Sequence, residues 1–187
     1  MERPSKTLEI IFLIENSLQM SGAKLGSLNT TIEELISEIR DIAETRPNDN
    51  VNIRCISYSN GSQWRCLDHV PVRTFRWEYL TAEGKCDLGS GLLRLNKFLA
   101  EKDLSIETHY RPVIFLINCS RPTDNFKYAL FKIKGNEWYK RALKVGVSMG
   151  DDDRQEILQQ FTGNGRNIIK GVSPEYLKKW IQFFETR

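Results

Sequence analysis

A chain of 187 residues, 40% hydrophobic and 27% charged, has the composition of an ordinary globular domain, which excludes disordered and fibrous classes. Its 27 Lys and Arg against 24 Asp and Glu leave a net charge of +3, too weak a bias to point to nucleic acid or an anionic bilayer. The longest apolar run, residues 10–14, falls far short of the ~18 residues a membrane span needs. The opening MERPSK leads into that run with no small-residue cleavage site, so no signal peptide is expected.

In chain order, residues 8–14 (LEIIFLI) are almost wholly apolar and β-branched, as suits a strand covered on both faces. Leu25, Leu28, Ile32, Leu35, Ile36, Ile39 and Ile42 recur at three- and four-residue steps and predict an amphipathic helix, stopped by RPNDN at 46–50. Residues 51–58 read as a strand, Asn60-Gly61-Ser62 as a turn, and residues 64–70 as an antiparallel strand. A Gly-containing loop at 81–87 precedes a helix marked by Leu88, Leu92, Leu95 and Leu99. Residues 113–117 (VIFLI) form a second fully apolar strand, entered through Pro112 at a position proline tolerates. Thr123 is placed to cap a short helix bearing Tyr128, Leu130, Phe131 and Ile133. Residues 143–147 make a strand, and Asp151-Asp152-Asp153 suits the positive end of a helix running through Phe161. Gly163-Asn164-Gly165 breaks that helix, 167–169 is a last strand, and Ser173-Pro174 starts a final helix striped by Leu177, Trp180, Ile181 and Phe184. No repeat or linker interrupts the pattern, so 1–187 reads as a single domain. The fold expected is α/β: a Rossmann-like, doubly wound, mainly parallel six-stranded sheet with one antiparallel edge strand and helices on both faces. Ligands of such sheets bind beyond the carboxyl ends of the strands, where the winding reverses. Residues 15–22, 83–87 and 118–122 should meet there.

The four cysteines, Cys55, Cys66, Cys86 and Cys119, form no CxxC pair, which argues against a zinc ribbon and against a disulfide-dense secreted module. Free thiols in a reducing cytoplasm are expected. A two-residue turn at Asn60-Gly61 would set Cys55 opposite Cys66, as a bridge or as two small buried side chains.

Phe12-Leu13-Ile14-Glu15-Asn16-Ser17-Leu18-Gln19-Met20-Ser21-Gly22 resembles the opening of a von Willebrand factor type A (VWA) domain, where the first strand enters D-x-S-x-S-M-S-G. Residues 110–124, YRPVIFLINCSRPTD, are similar to the Y-R-P-x-V-F-L-L-T-D-G-x-P-T-D of the bacterial tellurite-resistance TerY-like branch. Residues 80–89, LTAEGKCDLG, are similar to its L-x-A-x-G-G-T-x-L-G. The resemblance implies the VWA fold and a metal-ion-dependent adhesion site, five oxygen-bearing side chains around Mg²⁺. In those positions stand Glu15, Ser17, Gln19, Cys86 and Cys119, and only Ser17 is unchanged. Mg²⁺ asks for hard oxygen donors at about 2.0–2.1 Å in near-octahedral array, and thiols are soft, so the expectation is a degenerate site with no magnesium and no other cofactor. Three fates of the crevice stay open: decay, a zinc ion held by Glu15, Cys86 and Cys119, or a Cys86–Cys119 disulfide.

By resemblance the chain is expected to be a non-enzymatic, cytoplasmic interaction module in a bacterial stress-response system. Its implied partners are proteins, a protein kinase and a metal-dependent Ser/Thr phosphatase among them, with no nucleic acid and no membrane. The alternative is a zinc- or redox-responsive sensor built on Cys86 and Cys119. Arg76 and Trp77 are rim candidates, since aromatic and Arg side chains anchor interfaces. Lys127, Lys132, Lys134, Lys140, Arg141 and Lys144 form either a basic face for an acidic partner or a solvated surface. Neither His69 nor His109 lies beside a nucleophile, and no phosphate-cradling glycine motif is present.

Overall fold

The computed structural model describes residues 4–66, 70–101, 103–150 and 155–182. Its sheet contains β1 (Thr7–Glu15), β2 (Asn50–Ser59), β3 (Gly61–Trp64), β4 (Val70–Pro71), β5 (Val113–Asn118), β6 (Leu143–Ser148) and β7 (Ile168–Lys170). The spatial order is β3-β2-β1-β5-β6-β7, with the short β4 also paired to β2. Every pairing is parallel except those of β3 and β4 with β2. Among the described residues six α-helices accompany it: α1 (Ala23–Glu44), α2 (Leu88–Glu101), α3 (Phe126–Lys134), α4 (Glu137–Arg141), α5 (Gln155–Thr162) and α6 (Pro174–Gln182).

The period of two along β1 divides the core. Leu8, Ile10, Phe12 and Ile14 pack with α1 and α6, whereas Ile11 and Leu13 pack with α2, α3, α4 and α5. Both faces of the central strands are therefore dry, which explains why β1 and β5 read as unbroken apolar runs. Each fully buried Leu, Ile or Phe contributes about 1.5–3 kcal/mol of transfer free energy. The chain leaves β1 toward α1 on one face and leaves β5 toward α3 on the other. β1 and β5 are neighbours, so the winding reverses between them and a crevice opens at their carboxyl ends.

Three details differ from the sequence expectation. The antiparallel segment is two short strands rather than one, so the sheet has seven strands and not six. Residues 67–69 of the expected strand, His69 among them, lie outside the described residues, as do Asp151-Asp152-Asp153 and Phe184. The turn at Asn60 is one residue tighter than supposed, because Ser59 pairs with Gly61 and Ile56 with Trp64. The Arg65 N–H then bonds the Cys55 carbonyl, and the Cys66 sulfur accepts the Cys55 N–H at 3.3 Å. Both cysteines are free. Finally, Asn125 caps α3, its side chain accepting the Tyr128 N–H at 3.2 Å, while the Thr123 hydroxyl is spent elsewhere.

Candidate functional site: a carboxylate-filled crevice

Glu15 is the last residue of β1, and Asn118 is the last of β5. Alternation along β1 puts Glu15 on the α2 side of the sheet, completely buried. Its longer side chain crosses the switch point to the turn that follows β5. There one carboxylate oxygen accepts the Cys119 N–H at 2.6 Å, the Ser120 N–H at 2.9 Å and the Asn118 side-chain amide at 3.0 Å. The other accepts the Ser17 hydroxyl at 2.6 Å and the Ser120 hydroxyl. Five donors converge on one carboxylate, and a carboxylate offers about four lone-pair sites. Charge-assisted bonds of this kind are the stronger class of protein hydrogen bond.

The surrounding groups are fixed in turn. Ser17 also accepts the Gln19 N–H at 3.2 Å, capping the single turn Leu18–Met20. The Asn118 amide also reaches the Tyr58 hydroxyl at 3.1 Å, and that hydroxyl donates to the Ile117 carbonyl at 2.9 Å. Burial, reinforced by the Glu15 charge, holds the Tyr58 pKa well above its usual value, so the phenol remains a neutral donor. Thr123 and Asp124 tie the third loop in. The Thr123 hydroxyl accepts the Cys86 N–H at 3.1 Å and donates to Asp87 at 2.8 Å. The Asp124 carboxylate accepts the N–H groups of Gly89 and Ser90 at 2.8 and 2.7 Å, a negative charge at the positive end of α2. A Cβ on Gly89 would meet that carboxylate at 2.9 Å, so glycine is what lets the two segments close.

Of the five positions singled out in the sequence, Ser17, Gln19 and Cys86 line one groove beside Glu15, and the Cys119 thiol does not. Ser17 and Glu15 touch, but Gln19 is exposed. The two cysteines are divided by the sheet. Cys86 belongs to the α2 cluster and Cys119 to the α1 cluster. The Cys86 thiol faces the Ser120 carbonyl at 3.7 Å. The Cys119 sulfur faces the carbonyls of Gln19 and Met149 at 3.7 and 3.6 Å and accepts from Lys24 at 3.4 Å. Cys86 lies beside Glu15, 3.7 Å from the Asn118 amide that Glu15 holds, but the expectation that the Cys119 thiol shares that crevice is corrected: the period of two along β5 puts it with Val113, Phe115 and Ile117 on the α1 side. No disulfide joins any of the four cysteines, and among the described residues no three His, Cys, Asp or Glu side chains are grouped to hold a metal. Nor do the donors fit a hard dication. The Glu15 carboxylate already meets five hydrogen-bond donors, the Asp124 carboxylate is spent on the Gly89 and Ser90 N–H groups, and neither thiol supplies oxygen.

The rim also differs. Above Ser17, Cys86 and Ser120 lies a groove of about 460 Å³ walled by Leu18, Gln19, Lys85, Arg121 and Thr123. Leu18 is 60% exposed there. Trp77 is not among the lining residues. It is half-buried and donates its indole N–H to Asn29 of α1 at 3.3 Å, which also exchanges two bonds with the Leu80 backbone. Arg76 is exposed beside it. Asn118, Ser120, Lys85 and Arg121 lie in the segments expected at the crevice but were not singled out, and Tyr58 was not placed there at all. The signal available was that Asn118 and Ser120 flank Cys119 in the segment most like the TerY pattern.

His109 is remote from all of this. It bridges Thr7 at the opposite end of β1, roughly 25 Å from Glu15 at about 3.3 Å per strand residue.

Among solved structures the chain is similar to proximal thread matrix protein 1 from the mussel byssus, in a form described as having a zinc-occupied MIDAS motif. The match has a TM-score of 0.63 at 12% identity and covers 98% of this chain and 48% of that one. The ArnB paralog VWA2 from Sulfolobus acidocaldarius gives 0.63 at 13%, covering 93% and 44%. A von Willebrand factor type A structure from Catenulispora acidiphila gives 0.61 at 12%, covering 96% and 42%. The fold is that of a VWA domain. The chain spans less than half the length of these three proteins. The sequence matches no family model and no curated protein.

Within this VWA fold, thiol chemistry is suppressed by packing. Burial pushes the Cys55 and Cys86 thiols far above the ordinary range, Cys86 further by the adjacent Glu15 charge. Cys66 is raised too, by burial, but is only part-buried. A thiolate is the reactive form. Native protein treated with a disulfide reagent at neutral pH should therefore release colour from Cys66 alone, slowly, and from all four thiols in denaturant. Rapid reaction of Cys86 in the folded state contradicts the packing described here.

Proposed function

We propose that this VWA-fold chain is a non-enzymatic protein-interaction module that works without a divalent cation. One observation carries the proposal: the Glu15 carboxylate is buried and its acceptor capacity is taken up by donors from β5 and from the turns after β1 and β5. A side chain of this protein closes the crevice that a metal would otherwise close, and it does so with bonds that no ion must complete. Recognition then rests on the groove above it. Exposed Leu18 offers an apolar anchor, and Lys85 and Arg121 offer charge. The TerY-like segments at 80–89 and 110–124 support a bacterial, cytoplasmic setting with a kinase and a phosphatase among the partners. The zinc or redox sensor finds no support in the thiols, which lie in different clusters.

Calorimetric titration with Mg²⁺ and with Zn²⁺ tests the proposal. No saturable heat is expected at millimolar metal, and the melting temperature should not move. A bound ion at a hundred times its Kd would stabilise the fold by about 2.7 kcal/mol, a shift that is easily seen. Sub-millimolar Mg²⁺ binding abolished by Ser17→Ala refutes the proposal. In the cell, cross-linking from a probe at Leu18 should capture the same partner with and without EDTA.

A further inference from the structure

We propose a second, separate interaction surface on the outer face of α3, and infer that it takes an acidic segment of a partner protein carrying an apolar side chain. The helix reads FKYALFKIK, with three lysines and no acid. Phe126, Ala129, Leu130 and Ile133 are buried against the core. At 3.6 residues per turn this directs Tyr128 and Phe131 to the opposite side, side by side at i, i+3. They are 51% and 77% exposed, and Phe131 has the highest exposure of any large hydrophobic residue among those described. The same geometry places Lys127 and Lys134 on one flank of this aromatic pair and Lys132 on the other.

Between α3 and α2 lies a groove of about 500 Å³ whose walls include Leu93, Arg94, Lys97 and Tyr128. Leu93 is 37% exposed there. On the far side of α3 from this groove, Glu156 shares a pocket with Lys127 and accepts from Gln160 at 3.2 Å; the acids on the α2 side are engaged. Asp124 is used on the α2 backbone, and Glu101 lies 3.8 Å from Lys97. Lys127, Lys132 and Lys134 have no carboxylate partner among the described residues. Apolar anchors framed by uncompensated positive charge complement a carboxylate-rich peptide with one apolar side chain. Of the six basic residues grouped in the sequence, the other three are occupied. Lys140 pairs with Glu137, Arg141 lies over Trp138, and Lys144 donates to two carbonyls.

A peptide suits this surface better than an anionic bilayer. The apolar face of α3 is already committed to the core, so the helix cannot turn it into lipid as an interfacial helix does. Only two aromatic rings remain to insert, while the concave groove is shaped for a single side chain.

Fluorescence anisotropy with synthetic acidic peptides tests the inference. The probes are Glu-rich 12-mers with a central Leu, Phe, Trp or Met, a poly-Glu control, and vesicles of phosphatidylserine and phosphatidylcholine. At least one peptide with an apolar residue should bind. Phe131→Ser with Tyr128→Ser should weaken it about tenfold or more, as truncated aromatic anchors do. Lys127→Glu with Lys132→Glu should weaken it comparably and reduce its salt dependence. These side chains are exposed, so the variants should melt like wild type. Leu18→Ser in the other groove should leave the affinity unchanged. Absence of binding across the whole panel, equal binding by the variants, or binding to vesicles in preference to every peptide overturns the inference.

Discussion

Replacing Glu15 with alanine is expected to lower the unfolding free energy by about 4 kcal/mol or more, since each buried donor left without an acceptor costs roughly 1–3 kcal/mol and five are affected. For a chain of this size that corresponds to a fall of roughly 8–16 °C in melting temperature. The conservative variants are more instructive, because they separate charge from length. Glu15→Gln keeps the reach. Its carbonyl can take the position that accepts the three N–H groups of Asn118, Cys119 and Ser120, while its amide faces the hydroxyls of Ser17 and Ser120. Hydroxyls rotate and can accept as well as donate, so most of the network survives and the cost should be about 1–2 kcal/mol. Glu15→Asp keeps the charge but draws the carboxylate back by one C–C bond, about 1.5 Å, beyond hydrogen-bond reach of the β5 turn. It should cost nearly as much as alanine. The order Gln, then Asp, then Ala in urea midpoints at constant m is the expected result. If aspartate proves as stable as wild type, the reach of Glu15 across the switch point is not what closes the crevice.

That ordering exposes what could and could not be read from the sequence. The sheet was legible because its evidence is local: LEIIFLI and VIFLI have no polar alternation, so both had to be buried on two faces, and β1 and β5 are indeed the central pair. The switch-point crevice followed from chain order alone. Cys119 was misjudged although the period of two along β5 gives its side: Val113, Phe115 and Ile117 lie in the α1 cluster, and Cys119 follows them there. Glutamate stands at 15 where the VWA opening has aspartate, and serine at 120 where the TerY-like pattern has glycine. Taken singly, each looks like the loss of a feature. Together they form a contact, the Ser120 hydroxyl on the Glu15 carboxylate. Such a partnership is long-range, separated by more than a hundred positions, and only the fold brings it together.

Trp77 illustrates a different limit. An aromatic beside Arg76 resembles an interface anchor, yet its neighbour is Asn29, a buried polar residue on the inner side of α1. By accepting from the Trp77 indole and trading bonds with the Leu80 backbone, Asn29 gives a loop without regular structure the pairing a strand would have supplied. The Arg40 side chain repeats the device on the Val72 and Phe75 carbonyls. A helix that looks merely amphipathic in sequence thus also carries the fastenings of the loop that leads to Cys86.

The second large effect is expected at Glu9 and Arg54, the buried ion pair on the α2 side of β1 and β2. The Arg54 guanidinium bonds the Glu9 carboxylate at 2.8 Å, both side chains are nearly inaccessible, and Asn52 supplies a further donor at 3.1 Å. The guanidinium also lies 4.4 Å from the Phe98 ring centre. Glu9→Ala leaves a cation in a dry environment and should cost about 3–5 kcal/mol. Arg54→Ala strands the carboxylate with Asn52 and should cost a similar amount. The double variant Glu9→Leu with Arg54→Met removes both charges while filling the space. It should recover most of the loss and can equal or exceed wild type, since the desolvation of two ions offsets much of their attraction. With the double alanine variant added, wild type, the two alanine singles and their double form a cycle whose coupling free energy should be several kcal/mol and insensitive to added salt, because buried pairs are little screened. Single-variant costs below about 1 kcal/mol would show a pair that behaves like an exposed one. A Glu9→Leu, Arg54→Met variant as unstable as the worse single would mean that Arg54 acts through its packing on Phe98 and not through its charge.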